Sequence, residues 1–152
     1  MATSGKESQT YSVLLADDSE TDRVLIREAL KKYPRFKLIG EACDGLETIA
    51  FLDRRSGRHT GKSSLPNLLL LDLRMPYKSG YEVLEWLQKQ AFKNMLVVVL
   101  AGSTLPEDYE KSLALGAHAY YVKFPESEAR HEMIRSIETL LDLAREGELA
   151  AK

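Results

Sequence analysis

A single cysteine, Cys43, stands among 152 residues. With no second thiol it can form no internal disulfide and has no cysteine partner for a metal site, which points to a reducing compartment. Cys43 itself is expected to pack as a small apolar side chain. Charge of one sign is equally scarce: 21 basic residues face 23 acidic ones, a formal balance of -2. That balance argues against a generic polyanion-binding surface, so no direct DNA binding is expected. No run approaches the ~20 apolar residues of a membrane span, and the opening "MATSGKESQTY" has no apolar signal core. The expectation is a soluble cytoplasmic protein with no membrane contact. His59, His118 and His131 are dispersed without metal-ligand spacing, which assigns them to surface or packing roles. There is no Ser, His and Asp arrangement and no glycine-rich phosphate loop, and "ADDSE" would repel a dinucleotide's phosphates. No internal repeat and no second domain is visible.

What the chain does have is 44% hydrophobic residues, enough for the core of one domain. Short apolar runs alternate with longer amphipathic ones, the pattern of strands feeding crossover helices. "SVLLA" (Ser12 to Ala16), "LLLL" (Leu68 to Leu71), "LVVVL" (Leu96 to Leu100) and "AYYV" (Ala119 to Val122) read as strands buried on both faces. "FKLIGEA", Phe36 to Ala42, is more polar and suits a sheet edge. Between them Leu25, Ile26, Ala29, Leu30 and Tyr33 recur at helical spacing, as do Val83, Leu84 and Leu87. Met133, Ile134, Ile137, Leu140, Leu141 and Ala144 form a similar stripe, and Trp86 reads as a partly buried core residue. Each of the first four helices has a start signal, an acceptor side chain with an acid three residues on: Ser19 with Asp22, Asp44 with Glu47, Ser79 with Glu82, Thr104 with Glu107. Gly116 and Gly147 stand where the fourth and fifth helices should stop. Most of "DRRSGRHTGKSSLPN", Asp53 to Asn67, reads as an extended surface loop. The expected organisation is a tail over 1–10, one domain over 11–146 and a tail over 147–152.

The stretch "NLLLLDLRMPYKSG" places Asp72 at the end of four leucines. Alone it reads as a strand end, since Asp and Pro are ordinary breakers. In a parallel sheet, however, ligands collect at the carboxyl ends of the strands. "LLADDSE" brings Asp17 and Asp18 to that same edge. Three carboxylates so close would raise one another's pKa unless a cation were present. Oxygen-only ligands in an open acidic pocket suit magnesium. Lys123, at the end of "AYYVK", supplies a fourth and opposite charge.

These spaced motifs resemble the receiver domain of bacterial two-component response regulators, over about Ser12 to Leu143. The long loop before "PNLLLLDLRMP" is similar to that of single-domain regulators associated with phytochrome-type and other sensor kinases. The resemblance implies an α/β, flavodoxin-like, doubly wound five-stranded parallel sheet of order 2-1-3-4-5 with five helices. It implies that Asp72 is the phosphoacceptor, taking a phosphoryl group from a sensor histidine kinase or phosphotransfer protein. It further implies that Asp17, Asp18, Asp72 and the backbone carbonyl of Arg74 hold Mg2+, that Lys123 binds a phosphoryl oxygen, and that Tyr120 is an aromatic switch. Output would pass through contacts with a downstream protein target. A homodimer, where one forms, would use the fourth helix, last strand and last helix.

Two departures from the family pattern stand out. The position that usually carries a Ser or Thr hydroxyl at the end of the fourth strand is Ala101, in "VLAGST". Ser103 reaches in only through a bulge at Gly102, and Ser103 and Thr104 are already suited to starting the next helix. Lys123 is followed by Phe124 and then Pro125, where the family usually has Lys followed at once by Pro. The loop is therefore expected to be shaped differently. Three readings remain: a stand-alone phosphorylatable regulator with at most slow autodephosphorylation, a pseudo-receiver scaffold with a switch weakened by Ala101, and an aspartate-nucleophile hydrolase. The last is disfavoured because "DLRMP" lacks a second acid two residues after Asp72.

Overall fold

Strands and helices alternate strictly along the chain: β1 (Tyr11–Ala16), α1 (Glu20–Leu30), β2 (Phe36–Ala42), α2 (Gly45–Arg55), β3 (Leu68–Leu71), α3 (Gly80–Gln88), β4 (Leu96–Ala101), α4 (Pro106–Ala114), β5 (Ala119–Val122) and α5 (Ser127–Arg145). These elements belong to a computed structural model in which residues 9–123 and 126–147 are described. The strands form one sheet in the order β2-β1-β3-β4-β5, every neighbouring pair parallel. The fold class read from the sequence is the one observed. Among the described residues no helix is long and apolar enough to cross a membrane.

Successive strand side chains point to opposite faces, so each unbroken apolar strand feeds two cores. Val13, Leu15, Leu68, Leu70, Leu96, Val98 and Leu100 face Ile26, Ala29 and Leu30 of α1 and Met133, Ile134, Ile137 and Leu141 of α5. Leu14, Ala16, Leu69, Leu71, Val97, Val99 and Ala101 face Leu52 of α2 and Val83 and Leu84 of α3. Removing one fully buried leucine here, Leu70→Ala for example, would cost about 2–5 kcal/mol. Trp86 is partly buried against Phe92, ring centroids 5.7 Å apart.

Local chemistry fixes where helices begin. The Ser19 hydroxyl accepts from the Asp22 N–H at 3.1 Å, and the Asp44 carboxylate accepts from the Glu47 N–H at 2.8 Å. Ser79 and Glu82 form a reciprocal capping box at 2.9 and 3.2 Å. The fourth start differs from expectation. Leu105, not Thr104, is the N-cap of α4, and no side chain caps it. Pro106 at the first helical position dictates this, because its ring presets the helical φ and disfavours helical backbone at the residue before it. Gly116 (φ 106°) and Gly147 (φ 90°) follow α4 and α5 in left-handed conformations, as their positions foretold.

Further corrections concern exposure. β5 is only half-buried along its length, because among the described residues it is an edge strand of the sheet, rather than buried on both faces. Leu25 is 37% exposed at the rim of α1, and Tyr33 reaches the core from the turn beyond the helix. Cys43 does not pack as an apolar residue: it follows the last residue of β2, is exposed, and its thiol donates to the Glu47 carboxylate at 3.2 Å. Phe124, Pro125 and the chain ends at 1–8 and 148–152 lie outside the described residues.

Candidate functional site

β1 and β3 are neighbours in register, Ala16 beside Leu71, so the residues that follow each strand emerge side by side. The Asp72 N–H donates to the Ala16 carbonyl at 2.9 Å, and the Asp17 N–H donates to the Ala42 carbonyl at 2.9 Å. Both carboxylates are thereby fixed at the sheet's rim while almost buried, Asp17 at 2% and Asp72 at 4% exposure. Exposed Asp18 completes the group, and oxygens of all three lie within 4.8 Å of one another. Burial first, then the charge of Asp17, pushes the Asp72 pKa up to about 7 against the opposing pull of Lys123. The acid ends an apolar strand for a spatial reason: the leucines bury the rod that carries it.

Lys123 comes from the far side of β4, positioned by its N–H donating to the Ala101 carbonyl at 2.8 Å. Its ammonium lies 2.7 Å from Asp17, 2.8 Å from Asp22 and 3.5 Å from Asp72. Burial pulls that ammonium down, but the carboxylates outweigh it and hold the pKa above the ordinary lysine value. In the sequence Asp22 marks only the start of α1. A helix that begins directly after the first strand points its first-turn acid back at the rim, and that was the signal available.

Two glycines let the loop around Asp72 close. A Cβ at Gly80 would lie 2.2 Å from the Asp72 carbonyl oxygen, and one at Gly45 would lie 2.0 Å from the Lys78 carbonyl oxygen. Ala101 is 1% exposed and ends β4 in regular register with β5, beside Val122. Ser103 is used elsewhere: its hydroxyl accepts from the Leu105 N–H at 3.0 Å. The Tyr120 hydroxyl donates to the Ser103 carbonyl at 2.8 Å, and its ring meets Tyr109 edge-on at 5.6 Å. The Arg74 side chain points away from the acids to Asp108 on α4, at 3.0 Å. His118 and His131 serve packing: Nδ1 of the first accepts from the Val97 N–H at 3.0 Å, and Nδ1 of the second lies 2.8 Å from the Tyr33 hydroxyl.

The five-stranded parallel sheet with this acidic rim defines a flavodoxin-like receiver fold. The profile of the response regulator receiver domain matches residues 13–135, and the chain belongs to that family. Response regulator Rcp1 of Synechocystis sp. is 36% identical over 128 residues, 84% of this chain and 86% of Rcp1. The crystal structure of the Mn(2+)-bound form of response regulator Rcp1 superposes with a TM-score of 0.71 at 34% identity, covering 85% of this chain and 92% of that one. The phosphorylated cyanobacterial phytochrome response regulator RcpA gives a TM-score of 0.71 at 31% identity, over 85% and 91%.

Proposed function

We propose that this receiver is a stand-alone response regulator that accepts a phosphoryl group on Asp72 and signals by changing which protein it contacts. The observation that carries the reading is the nearly buried Asp72 carboxylate, flanked by Asp17 and Asp18 and faced by the Lys123 ammonium at 3.5 Å. A sensor histidine kinase or phosphotransfer protein is the donor. In the transfer the Asp72 oxygen forms the new O–P bond as the N–P bond of a phosphohistidine breaks, and the departing imidazole keeps the bonding pair and takes up a proton. The β1–β3 pairing holds the nucleophile still, so positioning and electrostatics supply most of the catalysis. Lys123 is placed to meet charge on a phosphoryl oxygen, and Asp22 keeps it at the rim.

The donor set fits a small hard cation: three carboxylates within 4.8 Å, one with a pKa raised by burial and by its neighbour's charge. Asp17, Asp18, Asp72 and the Arg74 backbone carbonyl would hold Mg2+. Bound there, it would offset the carboxylate charges and keep Asp72 ionised at neutral pH. Its ligands are oxygens only, which is also compatible with manganese.

A second reading, an interaction scaffold with a weakened switch, draws support from the buried methyl of Ala101 where a hydroxyl would serve the phosphoryl group. One experiment separates them. Incubation with a small-molecule phosphodonor and magnesium should add one phosphoryl group by intact mass, and Asp72→Asn should add none. Equal labelling of Asp72→Asn would move the nucleophile elsewhere, and no labelling of the wild type with any kinase or phosphodonor would favour the scaffold.

A further inference from the structure

Asp108 is an acid at the first turn of α4, where solvent exposure would be the ordinary state, yet it is only 7% exposed. Three elements converge on it. Arg74, two residues past Asp72, places Nη2 at 3.0 and 3.2 Å from its two oxygens. The Tyr81 hydroxyl from α3 donates to the same carboxylate, with the Lys111 ammonium 4.3 Å from the centre of the Tyr81 ring. The Ser103 side chain from the loop after β4, then Tyr81, are the largest influences holding the Asp108 pKa below its ordinary value. Ser103 in turn takes the Tyr120 hydroxyl on its carbonyl at 2.8 Å. Polar contacts therefore lead from the loop beyond Asp72 through Arg74 to Asp108, which Ser103 influences electrostatically, and from Ser103 to Tyr120 on β5. None of them passes through Ala101.

We propose that Asp108 couples the acidic site to α4 and Tyr120, a positioning residue that transmits movement of the Asp72 loop by a route independent of the hydroxyl missing at position 101. The proposal rests on Asp72 being the site that takes the phosphoryl group. Its physical basis is the asymmetry of the Arg74–Asp108 pair. The Arg74 side chain is 67% exposed, so the pair alone contributes little to stability. The Asp108 end is buried and shared, so whatever moves Arg74 changes what Ser103 and Tyr81 must satisfy. Because Arg74 follows Asp72 by two residues, a rearrangement of that loop cannot leave its side-chain anchor untouched. Lys111 and Tyr81 tie α3 to the same helix, so α4 moves with the loop rather than apart from it.

The test is NMR of the full chain with magnesium and beryllofluoride, comparing wild type, Arg74→Met, Arg74→Lys, Asp108→Asn and the double variant Arg74→Met/Asp108→Asn. The expected result is that Asp108→Asn saturates at Asp17, Asp18 and Asp72 as wild type does, while each Arg74 variant, which keeps its backbone carbonyl, is compared at its own saturation. The shifts along α4 and at Tyr120 should fall by at least half in Arg74→Met and Asp108→Asn. The double variant should lose no more than either single one, as two links of one path do, and Arg74→Lys should recover part of the response. Full α4 and Tyr120 responses in both single variants would overturn the proposal. A parallel arm needs no phosphoryl analogue: in the free protein, Arg74→Met should shift the Ser103 and Tyr120 resonances, and Asp108→Asn should shift the same ones. Silence there would overturn the coupling even if beryllofluoride failed to bind wild type, an outcome that would count against Asp72 instead.

Discussion

Ala101 and Tyr120 lie on the same face of adjacent strands, the methyl buried and the tyrosine hydroxyl hydrogen-bonded to the Ser103 carbonyl at 2.8 Å. The Tyr120 ring packs against the same apolar cluster as the Ala101 methyl, and its hydroxyl reaches the loop after β4. Threonine at 101 would add two heavy atoms to a site only 1% exposed, and overpacking of this kind costs about 1–3 kcal/mol. Ala101→Thr is therefore expected to lower stability by that amount and to weaken the Tyr120 bond to Ser103. It should also enlarge the change that beryllofluoride induces at Tyr120, since the new hydroxyl can bond in only one of the two states. Urea denaturation and Tyr120 ring resonances check the two halves. An unchanged Tyr120 environment in the variant would show that the methyl does not set the rotamer.

The acidic rim makes the protein's stability depend on pH with a definite sign. The folded-state pKa of Asp72 is raised from 3.8 to about 7, by burial first and by Asp17 next. A raised carboxyl pKa means a stabilising contribution that is complete below the unfolded value and is lost as pH rises through the folded one. Asp72→Asn, neutral at every pH, should thus be more stable than wild type by on the order of 2 kcal/mol at pH 8, with the gap closing toward pH 4. Millimolar magnesium should narrow the gap at pH 8 by stabilising only the wild type. Urea midpoints at pH 5 and pH 8, with and without magnesium, measure this directly. A wild type more stable than Asp72→Asn at pH 8 without magnesium would reverse the assigned sign.

The parts legible in the sequence were those that local chemistry dictates. "LLLL" and "LVVVL" can satisfy both faces of a parallel strand, and Ser19, Asp44 and Ser79 cap helices with their own side chains. The acids at the ends of β1 and β3 followed, because strand ends in such a sheet share one edge. Contacts that depend on which loops meet were not legible. Nothing in the sequence singles out Asp108, and only folding brings Arg74, Tyr81 and Ser103 to it. Thr104 followed by Glu107 had the spacing of a cap, but Pro106 decided the helix start. Cys43 was misjudged because composition favours burial of a lone thiol, whereas its place just past β2 turns it to solvent.

Close backbone approach at Gly80 gives a third prediction. An alanine Cβ there would sit 2.2 Å from the Asp72 carbonyl oxygen and 2.8 Å from the Leu73 Cα, backbone atoms that cannot move aside without moving Asp72. Gly80→Ala should cost about 3 kcal/mol. It should also slow phosphorylation at least ten-fold, because a nucleophile displaced by about an ångström loses most of its alignment. Gly102→Ala is the control: a Cβ there meets nothing within 4 Å, so its stability should stay within about 0.5 kcal/mol of wild type. Equal behaviour of the two variants would mean that the loop tolerates displacement and that Gly80 does not position Asp72.

Lys123 and a divalent cation would compete for the same negative charge, and that competition yields opposite effects on stability and on binding. The ammonium lies 2.7 Å from Asp17, 2.8 Å from Asp22 and 3.5 Å from Asp72, so it neutralises the rim in the free protein. Lys123→Met keeps the aliphatic stem and removes the charge. Without a cation, the buried Asp17 and Asp72 carboxylates then repel each other unrelieved, and stability at pH 8 should fall by about 3 kcal/mol, the scale for breaking a buried pair. Magnesium would enter a site with one positive charge fewer, so its affinity should rise, by about ten-fold for a change of 1.4 kcal/mol. Bound magnesium should restore most of the lost stability. Phosphorylation should nevertheless slow, because no ammonium remains to meet the phosphoryl oxygen. Calorimetric titration with magnesium, thermal melts and phosphodonor labelling read the three effects separately. Weaker magnesium binding in Lys123→Met would mean that the lysine organises the acids rather than competing for them, and the site's electrostatics would have to be redrawn around Asp22.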